Sequence, residues 1–234
     1  MWTVRIFTLY PKMFPGPFLK GLYGKALEKK LWKIEIVNIR DYAEDKHKTV
    51  DDTPFGGGSG MLMKPDVLAK SIDSNIKNNE RIFYLTPKGK KFDQKFAKEL
   101  SNEKTINLVC GHFEGIDERV LETRNIEQIS IGDYILSGGE TASFVIIDSV
   151  LRLLPNVLGN KASKNEESFE QELLEYPQYT KPQIWEKKSV PEVLLSGDHA
   201  KIKDWRLSQS KDITRRRRSD LWKKFLEKDE KWKT

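Results

Sequence analysis

The stretch from Leu108 to Glu140 constrains this chain most. It holds two glycine-punctuated segments, Cys110-Gly111-His112-Phe113-Glu114-Gly115-Ile116-Asp117 and Ser130-Ile131-Gly132-Asp133-Tyr134-Ile135-Leu136-Ser137-Gly138-Gly139-Glu140. Each follows or contains an apolar, β-branched run that reads as a buried strand, so the glycines fall where a strand gives way to a loop. Glycine there permits positive φ and lets a ligand lie against bare backbone. Two such loops close in sequence point to a pocket walled by main chain at the ends of neighbouring strands, where open α/β sheets bind ligands. Ordinary turns would satisfy the same spacing.

The flanking pattern is that of an α/β chain. Trp2–Thr8 alternates as a strand, Pro15-Gly16-Pro17 breaks it, Phe18–Trp32 has helical spacing, and Lys33–Ile39 alternates again. That β-α-β unit implies parallel strands joined by a crossover helix. Arg40 to Gly60 is polar, lacks a hydrophobic period and ends in Pro54-Phe55-Gly56-Gly57-Gly58-Ser59-Gly60. No Lys-Ser/Thr follows those glycines, so this is neither a P-loop nor a dinucleotide fingerprint. It reads as a mobile surface loop or as a lid that closes over a planar ligand. Next come a helix from Pro65 to about Ile76, a strand Arg81–Thr86 stopped by Pro87-Lys88-Gly89, and a helix Phe92–Leu100. A strand Thr105–Cys110, a short helix Glu118–Arg124 and a strand-rich Ile126–Leu136 follow. The helix Glu140–Leu154 is apolar nearly all round, which predicts burial on most faces.

Beyond Pro155 the chain turns polar and small over Asn156–Ser168, a linker and domain boundary. Residues 181–234 carry 16 Lys/Arg against 9 Asp/Glu, whereas residues 1–180 carry 25 against 26. The excess positive charge therefore belongs to a basic terminal module, whose expected partner is a polyanion. Pro177, Pro182 and Pro191 mark extended stretches there, Ser196–Ser210 has helical character, and Arg215-Arg216-Arg217-Arg218 leads into a Trp- and Lys-rich tail. No apolar run approaches the roughly 18 residues of a membrane span. The amino-terminal Met1-Trp2-Thr3-Val4-Arg5-Ile6 has no signal-peptide architecture, and a single cysteine fits a reducing cytoplasm. One cysteine and three scattered histidines make no structural zinc site, so no metal ligand is assigned.

Four of the six tryptophans, Trp185, Trp205, Trp222 and Trp232, lie in the basic quarter. Arginines there can hold phosphates and aromatic rings can stack on unpaired bases. A small helical core around Trp205 and Trp222 is the competing explanation. Cys110 and His112, at i and i+2 on one strand, could serve as a thiol nucleophile and its base, but no third group orients them and a core thiol is the simpler reading. Glu114, Asp117, Asp133 and Glu140 sit beside the glycine loops, where each can hold a hydroxyl or a cation; Asp117 also suits the cap of the helix that follows.

Together these stretches resemble the bacterial tRNA (guanine-N1)-methyltransferases, which modify the guanosine just 3′ of the anticodon. The matching stretches are Pro54–Met61, Tyr84–Gly89, Cys110–Arg119, Ser130–Glu140, Ser168-Phe169, Tyr179-Thr180-Lys181-Pro182 and Leu195–Ala200, in the family's order. The resemblance implies an α/β fold of the SPOUT type, a parallel-sheet domain with a deep trefoil knot, plus a small, mainly helical, basic C-terminal domain. It divides the chain into a catalytic domain 1–158, a flexible linker 159–170 and a tRNA-binding domain 171–234. It further implies S-adenosyl-L-methionine as methyl donor, the tRNA anticodon arm as partner, a homodimer with its active site between subunits, no membrane association, and a reaction associated with magnesium.

Carried over residue by residue, the resemblance assigns the donor pocket to Tyr84, Leu85, Thr86, Gly111, Glu114, Gly115, Ile131, Gly132, Asp133, Tyr134, Ile135, Leu136, Gly138 and Gly139. It makes Arg152 the arginine that binds the guanine O6, where negative charge builds as N1 loses its proton. The family's general base is an aspartate just before Ser-Phe. Here Glu167 occupies that place in Glu166-Glu167-Ser168-Phe169, one methylene longer, with Glu166 as the alternative. Phe113 stands for the family's usual tyrosine, Ser59 for a proline in the glycine loop, and Ala142 for a proline after Gly-Gly-Glu. None removes a group the chemistry requires. Glu167→Gln is expected to lose methyl transfer in a single-turnover assay while still binding the donor. Loss in Glu166→Gln instead would move the base one residue.

Overall fold

Alternation along β1 (Trp2–Thr8) and the largely buried β6 (Thr105–Val109) set the frame of the amino-terminal unit. The computed structural model describes residues 1–77, 80–158, 168–169 and 172–231. It divides into two units, Met1–Gly159 and Asn160–Thr234. In chain order the first contains β1, α1 (Gly21–Glu28), β2 (Trp32–Asn38), β3 (Asp51–Asp52), β4 (Leu62–Met63) and α2 (Pro65–Asn75). It continues through β5 (Ile82–Lys91), α3 (Gln94–Ser101), β6 (Thr105–Val109), α4 (Glu118–Thr123), β7 (Glu127–Ser130) and α5 (Gly139–Leu151).

Five strands form one parallel sheet in the order β2-β1-β6-β5-β7. Successive side chains leave a strand on opposite faces, and both faces here are covered. Val4, Ile6, Phe83, Leu85, Ile106 and Leu108 point to one face, under Ala26 of α1, Phe96 and Leu100 of α3, and Ile146 and Val150 of α5. Phe7, Val37, Tyr84 and Val109 point to the other, under Leu68 and Ile72 of α2 and Val120 and Leu121 of α4. Parallel sheets need such covering, and it confines exposed polar chemistry to the strand ends. The buried Asn107 of β6 is fully engaged: its oxygen accepts from Arg5 Nη1, and its amide donates to Glu80 and to the Arg81 carbonyl.

Several boundaries differ from those the sequence predicts. The helix expected over Phe18–Trp32 is reduced to α1, preceded by a 3-10 turn at Gly16–Leu19 and ended where Lys30 adopts positive φ. The strand expected to stop at Pro87 continues to Lys91. Leu85 and Lys90 both pair with Ile129, so residues 86–89 are looped out of the ladder, where the missing N–H of Pro87 costs nothing. β7 ends at Ser130 rather than Leu136, because the Ser130 hydroxyl captures the Gly132 N–H and the chain turns off the sheet edge. The polar stretch 40–60 is partly ordered: a 3-10 turn spans Ile39–Tyr42, and β3 pairs antiparallel with β4. In α5, Thr141 and Val145, with Arg152 at the C-cap, form an exposed stripe on a helix expected to be buried on most faces.

The second unit contains a hairpin, β8 (Ile184–Trp185) with β9 (Lys188–Ser189), then α6 (His199–Arg217) and α7 (Ser219–Lys231). The helix expected over Ser196–Ser210 starts at His199, capped by the Asp198 carboxylate on the Lys201 N–H, and runs on through three arginines of the Arg215–Arg218 run. Cations suit that last turn, where the helix dipole is negative.

Phe83 is fully buried on β5, between β6 and β7, with the Phe96 ring 6.1 Å away and the Arg81 guanidinium 4.9 Å above its face. Phe83→Ala is expected to destabilise the protein by about 3–5 kcal/mol, read from urea unfolding as a lower midpoint at unchanged slope.

Candidate active site

A cavity of about 360 Å³ opens at the carboxyl ends of β5, β6 and β7. Tyr84 to Lys88 form one wall as β5 loops out, Gly111 to Gly115 a second after β6, and Ile131, Gly132 and Tyr134 to Gly139 a third after β7. The first turn of α5 closes the base at Ala142. Gly111 is required for the fit of two walls: a Cβ there would stand 2.6 Å from the Tyr84 ring. Burial pushes the Tyr84 phenol above its ordinary pKa, while the Ile116 backbone hydrogen bond pulls the other way.

Every residue assigned to the donor pocket lines this cavity except Asp133, which is exposed and not part of the lining. Pro87, Lys88, His112, Phe113, Ile129, Ser130, Ser137 and Ala142 also line it and were not assigned. His112 and Phe113 sit inside the first glycine motif, so the motif was the available signal. Arg152, at the C-cap of α5, is exposed and outside the cavity. Glu167 and Glu166 lie outside the described residues.

The walls are rich in main-chain donors. Among the described residues, no hydrogen bond takes up the N–H groups of Tyr134, Ile135, Leu136, Ser137 or Gly138. Ile135 is 83% exposed and Tyr134 52%, so this loop offers both apolar surface and polar backbone to a bound molecule. That combination suits a flat heterocycle with a hydrogen-bonding edge. Glu114 adds a carboxylate to the wall, suited to a cationic group. The residues present therefore fit S-adenosylmethionine.

Behind the walls lies a buried carboxylate that the sequence did not single out as such. Glu140, 2% exposed, accepts from the Thr8 hydroxyl at 2.5 Å through Oε1 and pairs with His112 Nε2 at 2.7 Å through Oε2. Cys110 is fully buried, and burial, then the Glu140 charge, pushes its thiol well above the ordinary range. His112 is engaged by Glu140, leaving Cys110 without the partner a nucleophile needs.

The second unit qualifies the phosphate-binding expectation. Arg216 pairs with Asp212, and Arg218 pairs with Asp220 at 2.6 Å, holding that carboxyl below its ordinary range. Arg215 and Arg217 are exposed on the last turn of α6. Trp222 stacks on Phe225 at 5.4 Å and Trp205 lies 6.3 Å from the half-exposed Tyr179, so both rings have neighbours within the chain while staying partly accessible; Trp185 is exposed.

Cys110 is expected to resist iodoacetamide at pH 8 in the native protein and to react fully in denaturant, as mass spectrometry would show. Rapid labelling of the folded protein would restore the nucleophile reading.

Comparison with known proteins agrees with the geometry. The family model described as "tRNA (Guanine-1)-methyltransferase TrmD" matches residues 1–224. A protein named tRNA (guanine-N(1)-)-methyltransferase from Pelagibacter ubique is 75% identical over 225 residues, covering 96% of this chain and 99% of its own length. Proteins of the same name from Bartonella tribocorum and Rhodospirillum rubrum are 54% and 51% identical, each over 94% of this chain and over 95% and 92% of their own lengths. With a whole-chain match, relatives this similar and a main-chain-walled cleft at the strand ends, the chain belongs to the tRNA (guanine-N1)-methyltransferase family.

Proposed function

We propose that this chain transfers the methyl group of S-adenosylmethionine to N1 of the guanosine at position 37 of tRNA, just 3′ of the anticodon. Family membership supports the reaction, and the observation that carries it is the cleft itself, with its unpartnered N–H groups from Tyr134 to Gly138 beside Gly111. When bound, S-adenosylmethionine supplies an electrophilic methyl on a sulfonium. The residues Tyr84–Thr86, Gly111, Glu114, Gly115, Ile131, Gly132, Tyr134–Leu136, Gly138 and Gly139 would hold it, leaving out Asp133. Glu167 would take the proton from N1, help typically worth about 10²–10⁴-fold. Arg152 would stabilise the charge developing on O6.

These roles fit a homodimer. Gly139 and Arg152 stand at opposite ends of α5, about 20 Å apart at 1.5 Å per residue. An arginine from a second chain would therefore complete the cleft. The exposed stripe of α5, with exposed Leu19 just before α1 and Leu22 in its first turn, offers a surface for that second copy. In this reading residues 1–158 form the catalytic domain, with the loops of Leu108–Glu140 threaded in the family's trefoil knot. Residues 159–170 form a linker that brings the base once RNA docks, and 171–234 grip the anticodon arm through phosphates. The target guanine would be turned out of its stack to reach the cleft. Magnesium enters from the resemblance alone and is given no ligands. A cytoplasmic setting is in keeping with the single buried cysteine. Among the described residues, no helix is long and apolar enough to cross a membrane.

Incubation with labelled S-adenosylmethionine and tRNA transcripts carrying G or A at position 37 tests the proposal. Label is expected in the G transcript only. RNA binding without label would instead make the chain a non-catalytic RNA-binding module.

A further inference from the structure

We infer that Glu140 clamps the two glycine loops of the cleft to one another through His112, which makes His112 a positioning residue for the methyl donor. Three elements meet at this carboxylate: Thr8 ends β1, His112 follows β6, and Glu140 lies in the first turn of α5. The two loops that wall opposite sides of the cavity are thereby tied at one buried point. An acid suits that place, since the amino end of a helix favours negative charge.

Independent packing supports the same assignment. A Cβ on Gly138 would fall 2.2 Å from His112 Cε1 and 2.8 Å from Glu140 Oε2. The space kept clear by Gly138 is thus the space the pair occupies. Thr8 Oγ1 also accepts from the Tyr10 N–H at 2.8 Å, and the Tyr10 ring lies 4.8 Å from the imidazole. The ring is therefore held by a charged partner on one edge and an aromatic on its flank, while it lines the cavity. Two main-chain bonds depend on the arrangement: the Gly139 N–H to the Gly111 carbonyl at 3.1 Å, and the Gly115 N–H to the His112 carbonyl at 3.0 Å.

A hydrogen bond to a buried charge is worth enough that its loss should be visible in binding. The inference rests on the donor-binding reading of the cleft, so its test has one arm that needs the donor and one that does not. In calorimetry with S-adenosylmethionine, His112→Ala is expected to weaken Kd by about tenfold or more. The kcat at saturating donor should change by less than about threefold, since a positioning group acts on binding. His112→Gln, whose amide can still donate to Glu140, should recover most of the affinity. In the protein without donor, hydrogen exchange at the Gly139 and Gly115 amides should speed up in His112→Ala and remain near wild type in His112→Gln. Thr8→Val removes the hydroxyl at the far oxygen, and with it the acceptor of the Tyr10 N–H, and should weaken Kd in the same direction, which keeps the test open if the alanine variant does not fold.

Unchanged affinity and exchange in His112→Ala, or in Thr8→Val where the former is unfolded, would overturn the clamp. So would equal losses in the alanine and glutamine variants. If wild type takes up no donor, the functional reading falls, and the exchange arm still decides whether the clamp exists.

Discussion

Covering both faces of a parallel sheet decides where this chain can place polar chemistry. With α1, α3 and α5 on one side and α2 and α4 on the other, the strands bury Val4, Ile6, Phe83 and Leu108 against one layer and Phe7, Tyr84 and Val109 against the other. Main-chain groups inside the sheet are spent on the ladders. Where β5 loops out at residues 86–89, and past the ends of β6 and β7, backbone becomes free to meet something else. The cleft lies there for that reason, and five of its lining residues are glycines, which bring bare peptide to its walls.

A cleft of loops needs rigidity from somewhere, and here it comes from below. The register jump between Leu85 and Lys90 pins both ends of the looped-out 86–89 segment to one residue, Ile129. The Gly139 N–H on the Gly111 carbonyl joins the α5 start to the loop after β6. Glu140 adds a charged anchor beneath that contact. Exposed apolar surface is left to Tyr134, Ile135 and Leu136, of which Ile135 is the most open to solvent.

Much of this was legible in the residues. Alternation in Trp2–Thr8 and the mainly apolar Thr105–Cys110, interrupted at Asn107, identify central strands, because burial on both faces leaves a direct trace in composition. The glycine loops mark the cleft because close backbone approach excludes side chains, as at Gly111. Other features had no local trace. The extension of β5 past Pro87 depends on a ladder with a strand forty residues later, and the turn at Ser130 on one side-chain hydrogen bond. Glu140 reads in sequence as a helix-start acid like any other; that it is buried, and that Thr8 and His112 reach it, follows only from tertiary packing. Asp133 lies between residues that do line the cleft, yet it is exposed and takes no part in the lining.

The length of α5 has a further consequence. A helix is a stiff spacer, so the pocket at its first turn and the guanidinium at its last cannot be brought together by any flexing of a lone chain. Under the proposed reaction, a solitary protomer would hold its small-molecule ligand yet turn nothing over. Dilution alone would then silence the enzyme while leaving ligand uptake intact, coupling output to abundance through mass action.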